Sequence, residues 1–156
     1  MSDLILHHYP MSPFAEKVRL ILGFKQLPWR SVLIPPVMPK PDVVALTGGY
    51  RKTPVLQVGA DIYCDTALIA RLLESRQPTP SLYPATAPLA PLLAQWADGT
   101  LFHTVAATDY GSDPVAGTLV GLSTDEVVVR RQDARAGTVH VHFPRFGFQI
   151  KKALAA

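Results

Sequence analysis

The sequence predicts an α/β protein with an N-terminal βαβ-ββα unit, a connecting helix and a small antiparallel β unit at its C-terminal end. Three observations lead to this fold class. Short apolar runs alternate with segments of helical apolar spacing through the first two thirds of the chain. Thirteen of the fifteen prolines lie at or before Pro91, so the composition changes along the chain. Beyond Asp113, β-branched residues cluster and alternate with polar ones, as is typical of strands.

The βαβ half begins with the apolar run Leu4–His8, which stops before a turn-forming proline and predicts a buried strand. Ser12 is a good N-cap, and Pro13 suits the first position of a helix that we expect to end near Gly23. Residues 29–34 predict the second strand.

The segment after this strand contains four closely spaced prolines, which forbid a continuous helix or sheet. It therefore predicts a loop, with at most a short helix near 42–46. Val55–Val58 and Asp61–Cys64, separated by Gly-Ala, predict a β-hairpin. Asp65 is the N-cap candidate of a further helix that ends near the prolines at 78–80.

The rest of the chain predicts a linker, one amphipathic helix and a β-rich tail. Apolar residues from Leu89 to Ala97 recur at helical spacing, and we expect this helix to end after Phe102. Three later segments have strand character: 118–122, 126–130 and 138–143. These elements divide the chain into an N-terminal domain at 1–83, a linker and helix at 84–108, and a small β-rich unit at 109–156.

Composition excludes several classes of protein. Hydrophobic residues make up 48% and charged residues 17%, so the chain is not an intrinsically disordered polyelectrolyte. Its net charge of +3 comes from scattered basic residues, which argues against a nucleic-acid interface. The first ten residues do not form a signal peptide, and no apolar run is long enough for a membrane span. With the single cysteine, Cys64, this predicts a cytoplasmic protein without membrane contact.

Three short motifs carry the chemistry: Ser12-Pro13-Phe14 followed by Lys17-Val18-Arg19, Lys52-Thr53-Pro54-Val55, and Asp65-Thr66-Ala67-Leu68-Ile69. Their residues, order and spacing resemble the thioredoxin-like N-terminal domain of serine-type glutathione transferases. The resemblance covers Met1 to about Phe102. It implies that the 1–83 domain is that family's glutathione-binding domain.

The resemblance implies that Ser12 is catalytic. Unsatisfied N–H groups and the macrodipole make a helix N-terminus a favourable place for a thiolate. A serine hydroxyl there would donate a hydrogen bond to the sulfur of glutathione, the cosubstrate, and promote its ionisation. Dithiol exchange is excluded, because Ser12 and Ala15 stand where a Cys-x-x-Cys motif would be needed. Taken alone, Ser12 would be explained as a helix cap, and Tyr9 is a second hydroxyl candidate.

The resemblance also implies how glutathione is held. Thr53, before a cis Pro54, would pair its main chain with the cysteinyl part of the peptide. The Asp65 carboxylate would face the γ-glutamyl ammonium, and Thr66 would hold the α-carboxylate. Lys40 stands where many serine-type members place a cation for the glycine carboxylate. Without the resemblance, Pro54 and Asp65 would be an ordinary strand start and an N-cap.

The second half departs from the family pattern. Glutathione transferases continue with a long all-helical domain, of which only the helix near 88–102 is recognisable, so the interior helices are expected to be missing between about Leu101 and Asp109. The uncovered helix would then be protected by self-association, for example a homodimer, or by packing of the β unit.

Two functions from different classes therefore stay open. The first is an enzyme whose Ser12 promotes attack of the glutathione thiolate on a small electrophile. The second is a non-catalytic glutathione-binding or protein-interaction module that keeps the glutathione half-site and has no electrophile pocket.

Two sets of polar residues in the tail are candidates for a site but are better explained as solvated surface. His140 and His142 share a strand face and could bind a metal with a third ligand, but a solvated face is favoured, so no metal site is predicted. Four arginines, balanced by nearby acidic residues, indicate a solvated hairpin surface: Arg130, Arg131, Arg135 and Arg145.

Overall fold

The computed structural model describes residues 2–101 and 115–145, and this part of the chain folds as an α/β protein around one mixed sheet. Seven strands are found: β1 (Leu4–His8), β2 (Arg30–Leu33), β3 (Val55–Val58), β4 (Asp61–Cys64), β5 (Thr118–Leu122), β6 (Glu126–Asp133) and β7 (Gly137–Pro144). The helices are α1 (Pro13–Phe24), α2 (Pro41–Thr47), α3 (Thr66–Arg76) and α4 (Ala90–Trp96), and α4 continues as a π-helical turn, Ala97–Leu101. The predicted fold class is confirmed.

The strands lie in the order β2-β1-β3-β4-β7-β6-β5. The first four form the βαβ-ββα arrangement, in which β1 is parallel to β2 and antiparallel to β3. The last three form the antiparallel unit that the sequence predicts. This unit does not stand apart, because β7 pairs in parallel with β4 and places Val141 opposite Ile62. The β unit therefore lengthens the N-terminal sheet at its β4 edge.

Helices cover both faces of the sheet. One core lies between the sheet and the helices α1 and α3, and its buried residues are Leu4, Leu6, Val18, Leu22, Leu56, Val58, Ile69 and Leu73. The second core lies on the face of α2, and its buried residues are Ile34, Val43, Tyr50, Val55, Ile62, Cys64, Val139, Val141 and Phe143. Because the second core draws on β3, β4 and β7, it crosses the junction between the two parts of the sheet.

Local sequence signals explain the helix boundaries. Ser12 caps α1 and is followed by Pro13 at the first helical position, where the missing N–H costs no hydrogen bond. At the C-terminal end of α2, Gly48 adopts a left-handed conformation with φ of 78°, which favours glycine. The predicted end of the connecting helix after Phe102 lies outside the described residues, as does the expected deletion site.

Cys64 is fully buried in β4, and burial raises the pKa of its thiol well above the ordinary value. It therefore packs as a small apolar residue, as the sequence predicts. Across residues 2–101 and 115–145, none of the helices has the length and apolar character that a membrane crossing requires.

The prediction of a solvated arginine surface is wrong for Arg131. Its side chain is only 17% exposed, and it donates hydrogen bonds to carbonyl oxygens of α2. Arg130 and Arg145 are exposed, as predicted. Arg135 is also exposed but forms an ion pair with Asp42 at the start of α2.

Candidate functional site

A cleft of about 1490 Å³ opens where α1 and α3 begin and where α2 meets the start of β3. The turn after α4 forms its far side. All six residues proposed from the sequence line this cleft: Ser12, Lys40, Thr53, Pro54, Asp65 and Thr66. They come from four separate stretches of the chain, and the fold brings them together.

Ser12 is the N-cap of α1 and is 2% exposed. Its Oγ accepts a hydrogen bond from the N–H of Ala15 at 3.1 Å, and its own N–H donates to the carbonyl of Tyr9 at 3.2 Å. A serine hydroxyl that accepts one bond still has its proton to donate. The residue can therefore cap the helix and, at the same time, donate to a ligand atom in the cleft.

Lys40 is buried, with 4% of its surface exposed, immediately before α2. Its Nζ donates to the carbonyl of Arg51 and to Oγ1 of Thr53, both at 3.1 Å. The ammonium also lies 5.6 Å from the centroid of the Tyr9 ring, within cation–π range. Burial, and then the nearby charge of Arg51, lowers the pKa of Lys40. Two of its three N–H groups are thus used to join α2 to the segment before β3.

The Thr53–Pro54 peptide bond is cis, as the resemblance implies. Pro54 is buried at the entry to β3, and Thr53 is half-buried and bonded to Lys40 through its hydroxyl. Arg51 and Lys52 line the same wall of the cleft. Both residues therefore add positive charge to this wall.

Asp65 is the N-cap of α3 and has an unusual backbone conformation, with φ of 87° and ψ of 133°. A positive φ is unfavourable for a residue that is not glycine, and such conformations concentrate at functional sites. Oδ1 accepts a hydrogen bond from the N–H of Ala67 at 2.8 Å. Burial raises the pKa of the carboxyl, opposed by the N–H groups of Ala67 and Leu68.

Thr66 is engaged in a polar cluster that the sequence did not indicate. Its hydroxyl donates to Oδ2 of Asp98 at 3.1 Å and accepts from Nζ of Lys17 at 3.3 Å. Lys17 and Asp98 also form a direct ion pair. Both residues line the cleft, Lys17 from the first turns of α1 and Asp98 from the turn after α4.

Sequence reasoning missed Lys17 and Asp98 as site residues. Lys17 belongs to one of the three sequence motifs, and its place one turn after Pro13 puts it beside the N-terminus of α1. Asp98 gives no local signal, because its approach to Thr66 depends on the path that α4 takes.

Charges of both signs face the cleft. Lys17, Lys40, Arg51 and Lys52 lie on its walls together with the carboxylates of Asp65 and Asp98. Tyr9, the second hydroxyl candidate, also lines the cleft, with its ring under the Lys40 ammonium. Such a surface suits a small ligand that carries carboxylate and ammonium groups together.

The connecting helix presents its apolar side to solvent. Its large apolar residues are each more than half exposed: Leu89, Leu92, Leu93 and Trp96. The β unit does not cover these residues, because it joins the sheet at β4 instead. The sequence offers two ways to protect this helix, and the expectation that the β unit packs on it is wrong for the described part of that unit.

His140 and His142 flank Asp61, at 3.6 and 3.5 Å from its Oδ1, and His142 also approaches Glu126 at 3.2 Å. The His142 ring stacks on Tyr63 with centroids 4.3 Å apart. No three ligating side chains within residues 2–101 and 115–145 are arranged to hold a metal ion. Acidic neighbours are thus present, and the His142 ring is held between these carboxylates and the Tyr63 ring.

Comparison with known proteins finds relatives of the N-terminal part of the chain, which carries the cleft residues. The family model described as glutathione S-transferase, N-terminal domain, matches residues 6–81. Pyrimidodiazepine synthase from Drosophila melanogaster is 33% identical over 89 residues, which cover 53% of this chain and 36% of that protein. This chain thus spans about a third of the length of that curated relative.

One solved structure extends the comparison to nearly all of the chain. A GST-like protein from Pseudomonas syringae is 33% identical with a TM-score of 0.82, and the match covers 95% of this chain and 98% of that one. A glutathione S-transferase from Rhodospirillum rubrum is 26% identical with a TM-score of 0.55 over 64% of this chain and 46% of that one. A rice glutathione transferase, solved in complex with glutathione, shares the fold at 22% identity and a TM-score of 0.56, over 64% of this chain and 49% of that one.

Proposed function

Since the chain belongs to the glutathione S-transferase family, we propose that it binds glutathione in the cleft and promotes attack of the glutathione thiolate on a small electrophile. The observation that carries the proposal is the convergence of Ser12, Thr53, Asp65 and Thr66 in that cleft. These residues come from separate elements, and each offers a group that fits a different part of the tripeptide.

In the proposed complex, the sulfur lies at the N-terminus of α1, where the Ser12 hydroxyl donates a hydrogen bond to it. The helix N-terminus adds partial positive charge, and both effects favour the thiolate over the thiol. The thiolate then forms a bond to an electrophilic carbon. In a substitution the leaving group departs with its bonding electrons, and in an addition the resulting carbanion takes a proton.

The rest of the cleft holds the peptide in place. The main chain of Thr53, before Pro54, pairs with the cysteinyl residue as an added strand. The Asp65 carboxylate faces the γ-glutamyl ammonium, and Thr66 with the N-terminus of α3 receives the α-carboxylate. Lys40 attracts the glycine carboxylate from the opposite wall. Its hydrogen bonds to Arg51 and Thr53 hold the ammonium in place before the ligand arrives, so less side-chain entropy is lost on binding.

Calorimetric titration of glutathione into the purified chain tests the binding step. We expect saturable binding, weakened at least about tenfold by Asp65→Ala because an ion pair to the ligand is lost. Glutathione disulfide and a tripeptide without the γ-linkage serve as matched ligands. Absence of heat or of any saturable signal with the wild-type chain would overturn the proposal.

The second function, a non-catalytic glutathione-binding or interaction module, is favoured by one observation. The apolar side chains of α4 are exposed in the described structure. On the side of the cleft formed by α4, an electrophile would therefore be left in contact with solvent. An assay of conjugation to a generic aryl halide separates the two functions. Turnover above the uncatalysed rate supports the enzyme, whereas binding without turnover supports the module.

A further inference from the structure

We propose that Arg131 of β6 is a positioning residue for the cleft. It holds α2 in place and, through α2, the side of the cleft formed by Lys40, Arg51, Lys52 and Thr53, which we call the Lys40 wall. The inference rests on the proposed function, since the ligand of that wall is taken to be glutathione. It assigns a role to the C-terminal β unit, which the family's glutathione-binding domain does not itself contain.

The first step is the contact between Arg131 and the end of α2. Nη1 donates to the carbonyl oxygen of Ala45 at 2.5 Å and to that of Val44 at 3.4 Å. These carbonyls lie in the last turn of the helix, where the macrodipole is negative. The Val44 carbonyl also accepts the N–H of Gly48 at 2.8 Å, whereas the Arg131 guanidinium makes its shorter contact with the Ala45 carbonyl. A guanidinium there makes charge-assisted hydrogen bonds, and its low exposure protects them from water.

Gly48 leaves the space that this contact needs. A Cβ on Gly48 would lie 2.7 Å from Nε of Arg131 and 3.0 Å from Cγ1 of Val115. Gly48 thus serves both the left-handed turn that ends α2 and the close approach of the guanidinium. The end of α2 and the β unit are therefore fitted to each other.

The second step leads from α2 to the cleft. At the start of the helix, Lys40 bonds to the carbonyl of Arg51 and to the hydroxyl of Thr53. At its end, the Thr47 hydroxyl lies between two carbonyl oxygens, that of Val43 at 2.7 Å and that of Tyr50 at 3.1 Å. The helix is only seven residues long, so a shift at its end moves Lys40 as well.

The β unit also packs against α2 and the residues that follow it, through the core on that face of the sheet. Val43 of α2 and Tyr50 pack in the same core as Val139, Val141 and Phe143 of β7. The rings of Tyr50 and Phe143 meet edge-on at 5.7 Å. This packing fixes the distance between α2 and the sheet, while Arg131 fixes the end of the helix.

The role of Arg131 differs from that of a residue that supports the whole fold. Ser12 lies on α1, which packs on the opposite face of the sheet. Loss of Arg131 is therefore expected to disturb the Lys40 wall and leave the sulfur site intact. The expected signature is weaker glutathione binding with an unchanged chemical step.

The test compares Arg131→Met with Arg130→Met, which changes the same residue type at an exposed position on the other face of β6. We expect Arg131→Met to raise the Kd and KM for glutathione about tenfold with kcat within about twofold, because charge-assisted hydrogen bonds are lost. Arg131→Lys is expected to recover part of the affinity, and Arg130→Met to change nothing. If Arg131→Met does not fold, Arg131→Lys becomes the variant measured, with an intermediate increase in Kd as the supporting result.

Two measurements make the role distinguishable from general destabilisation. Because Arg131 acts through Lys40, Arg131→Met should add little to the effect of Lys40→Met on Kd, whereas independent sites would add. Hydrogen exchange of amides in α2 should quicken in Arg131→Met and not in Arg130→Met. Additive effects on Kd, or unchanged exchange in α2, would overturn the inference.

The hydrogen-exchange result does not depend on glutathione. If the wild-type chain fails to bind glutathione, the proposed function is wrong, and faster exchange in α2 of Arg131→Met still supports the positioning role. If the wild-type chain binds glutathione and a folded Arg131→Met binds it equally well, the inference alone is wrong.

Discussion

The carboxylate of Asp98 accepts a hydrogen bond from the hydroxyl of Thr66, with 3.1 Å between Oδ2 and Oγ1. The same oxygen pairs with the ammonium of Lys17. A carboxylate of the protein thus lies against the donor groups at the start of α3. In the proposed function, the α-carboxylate of the ligand approaches the same hydroxyl.

We therefore predict that Asp98→Asn strengthens glutathione binding. The substitution removes a negative charge that competes with the ligand carboxylate for Thr66 and Lys17, and we expect a fall in Kd of about threefold to tenfold. The measurement is calorimetric titration at low and at physiological salt, since the effect of a charge decreases with screening.

Asp125→Asn is the matched control, because Asp125 also lines the cleft but is exposed and pairs with Arg71 at 3.4 Å. Its Kd should equal that of the wild-type chain. A weaker, not stronger, interaction in Asp98→Asn would mean that Asp98 binds the ligand ammonium and would contradict the competition.

Removal of the Ser12 hydroxyl should lower conjugation activity strongly. We expect Ser12→Ala to reduce kcat at least about a hundredfold with a Kd for glutathione within about threefold, because the hydrogen bond acts on the ionised sulfur. The substitution also removes a helix cap, which costs about 1 kcal/mol of stability.

Ser12→Gly separates the two effects, since glycine at an N-cap costs only a few tenths of a kcal/mol by the usual rule. It should lose as much activity as Ser12→Ala with a smaller fall in Tm, while Ser12→Thr should retain activity. If all three variants lose activity in proportion to Tm, Ser12 acts only as a cap.

The raised pKa of Asp65 gives glutathione binding a dependence on pH. Burial, opposed by hydrogen bonds from backbone N–H groups, raises the pKa of this carboxyl above 3.8. It therefore takes up a proton at a higher pH than an ordinary aspartate and then no longer attracts the ligand ammonium. We expect the Kd to increase as the pH falls from about 7 to about 4.

Asp65→Asn provides the control for titration of the ligand itself. Its Kd should be higher than that of the wild-type chain at neutral pH, and the ratio of the two values should approach one at low pH. A ratio that does not change with pH would show that Asp65 does not hold the ammonium.

Glu74 of α3 should contribute stability that is lost in acid. It accepts hydrogen bonds from the buried Lys25, from the Ser81 hydroxyl at 2.6 Å and from the N–H of Leu82 at 2.9 Å. Burial raises the pKa of the Glu74 carboxyl, but these hydrogen bonds outweigh it and lower the pKa from 4.5 to about 2. Because the folded value lies below the unfolded one, the stabilisation is present above about pH 4.5 and is lost as the pH falls towards 2.

Thermal unfolding of Glu74→Gln checks this expectation. Its Tm should lie below that of the wild-type chain at pH 7, and the difference should shrink in acid. Glu16→Gln is the control, because Glu16 is exposed and pairs with Arg19 on the surface of α1. A difference that is the same at both pH values would contradict the role of the charge.

The strands and helices were largely predictable because their signals are local. The apolar run of β1, the Gly-Ala turn between β3 and β4, and the caps Ser12 and Asp65 each lie within a few residues of the element that they define. The six cleft residues came from a family pattern whose spacing the fold preserves, and the structure brings all of them to one cleft.

The interactions that were missed all join distant parts of the chain. The parallel pairing of β7 with β4, the contact of Arg131 with α2 and the approach of Asp98 to Thr66 connect residues separated by at least 32 positions. A run of residues indicates which face of a strand is apolar, but it does not indicate which strand edge lies beside it. For this reason the sequence predicts a solvated Arg131, whereas in the structure its side chain is only 17% exposed.

The pairing of β7 with β4 has a consequence for any shortened form of the chain. Without β7, the strand Asp61–Cys64 would become the border of the sheet, with its outward N–H and C=O groups unpaired and available to another molecule. Ile62 and Cys64 would also lose their neighbours Val139 and Val141 from the core. A fragment that ends at Tyr83 would therefore contain all the strands and helices of the N-terminal domain and still tend to aggregate. In the full chain, β7 protects the β4 edge of the sheet from such pairing.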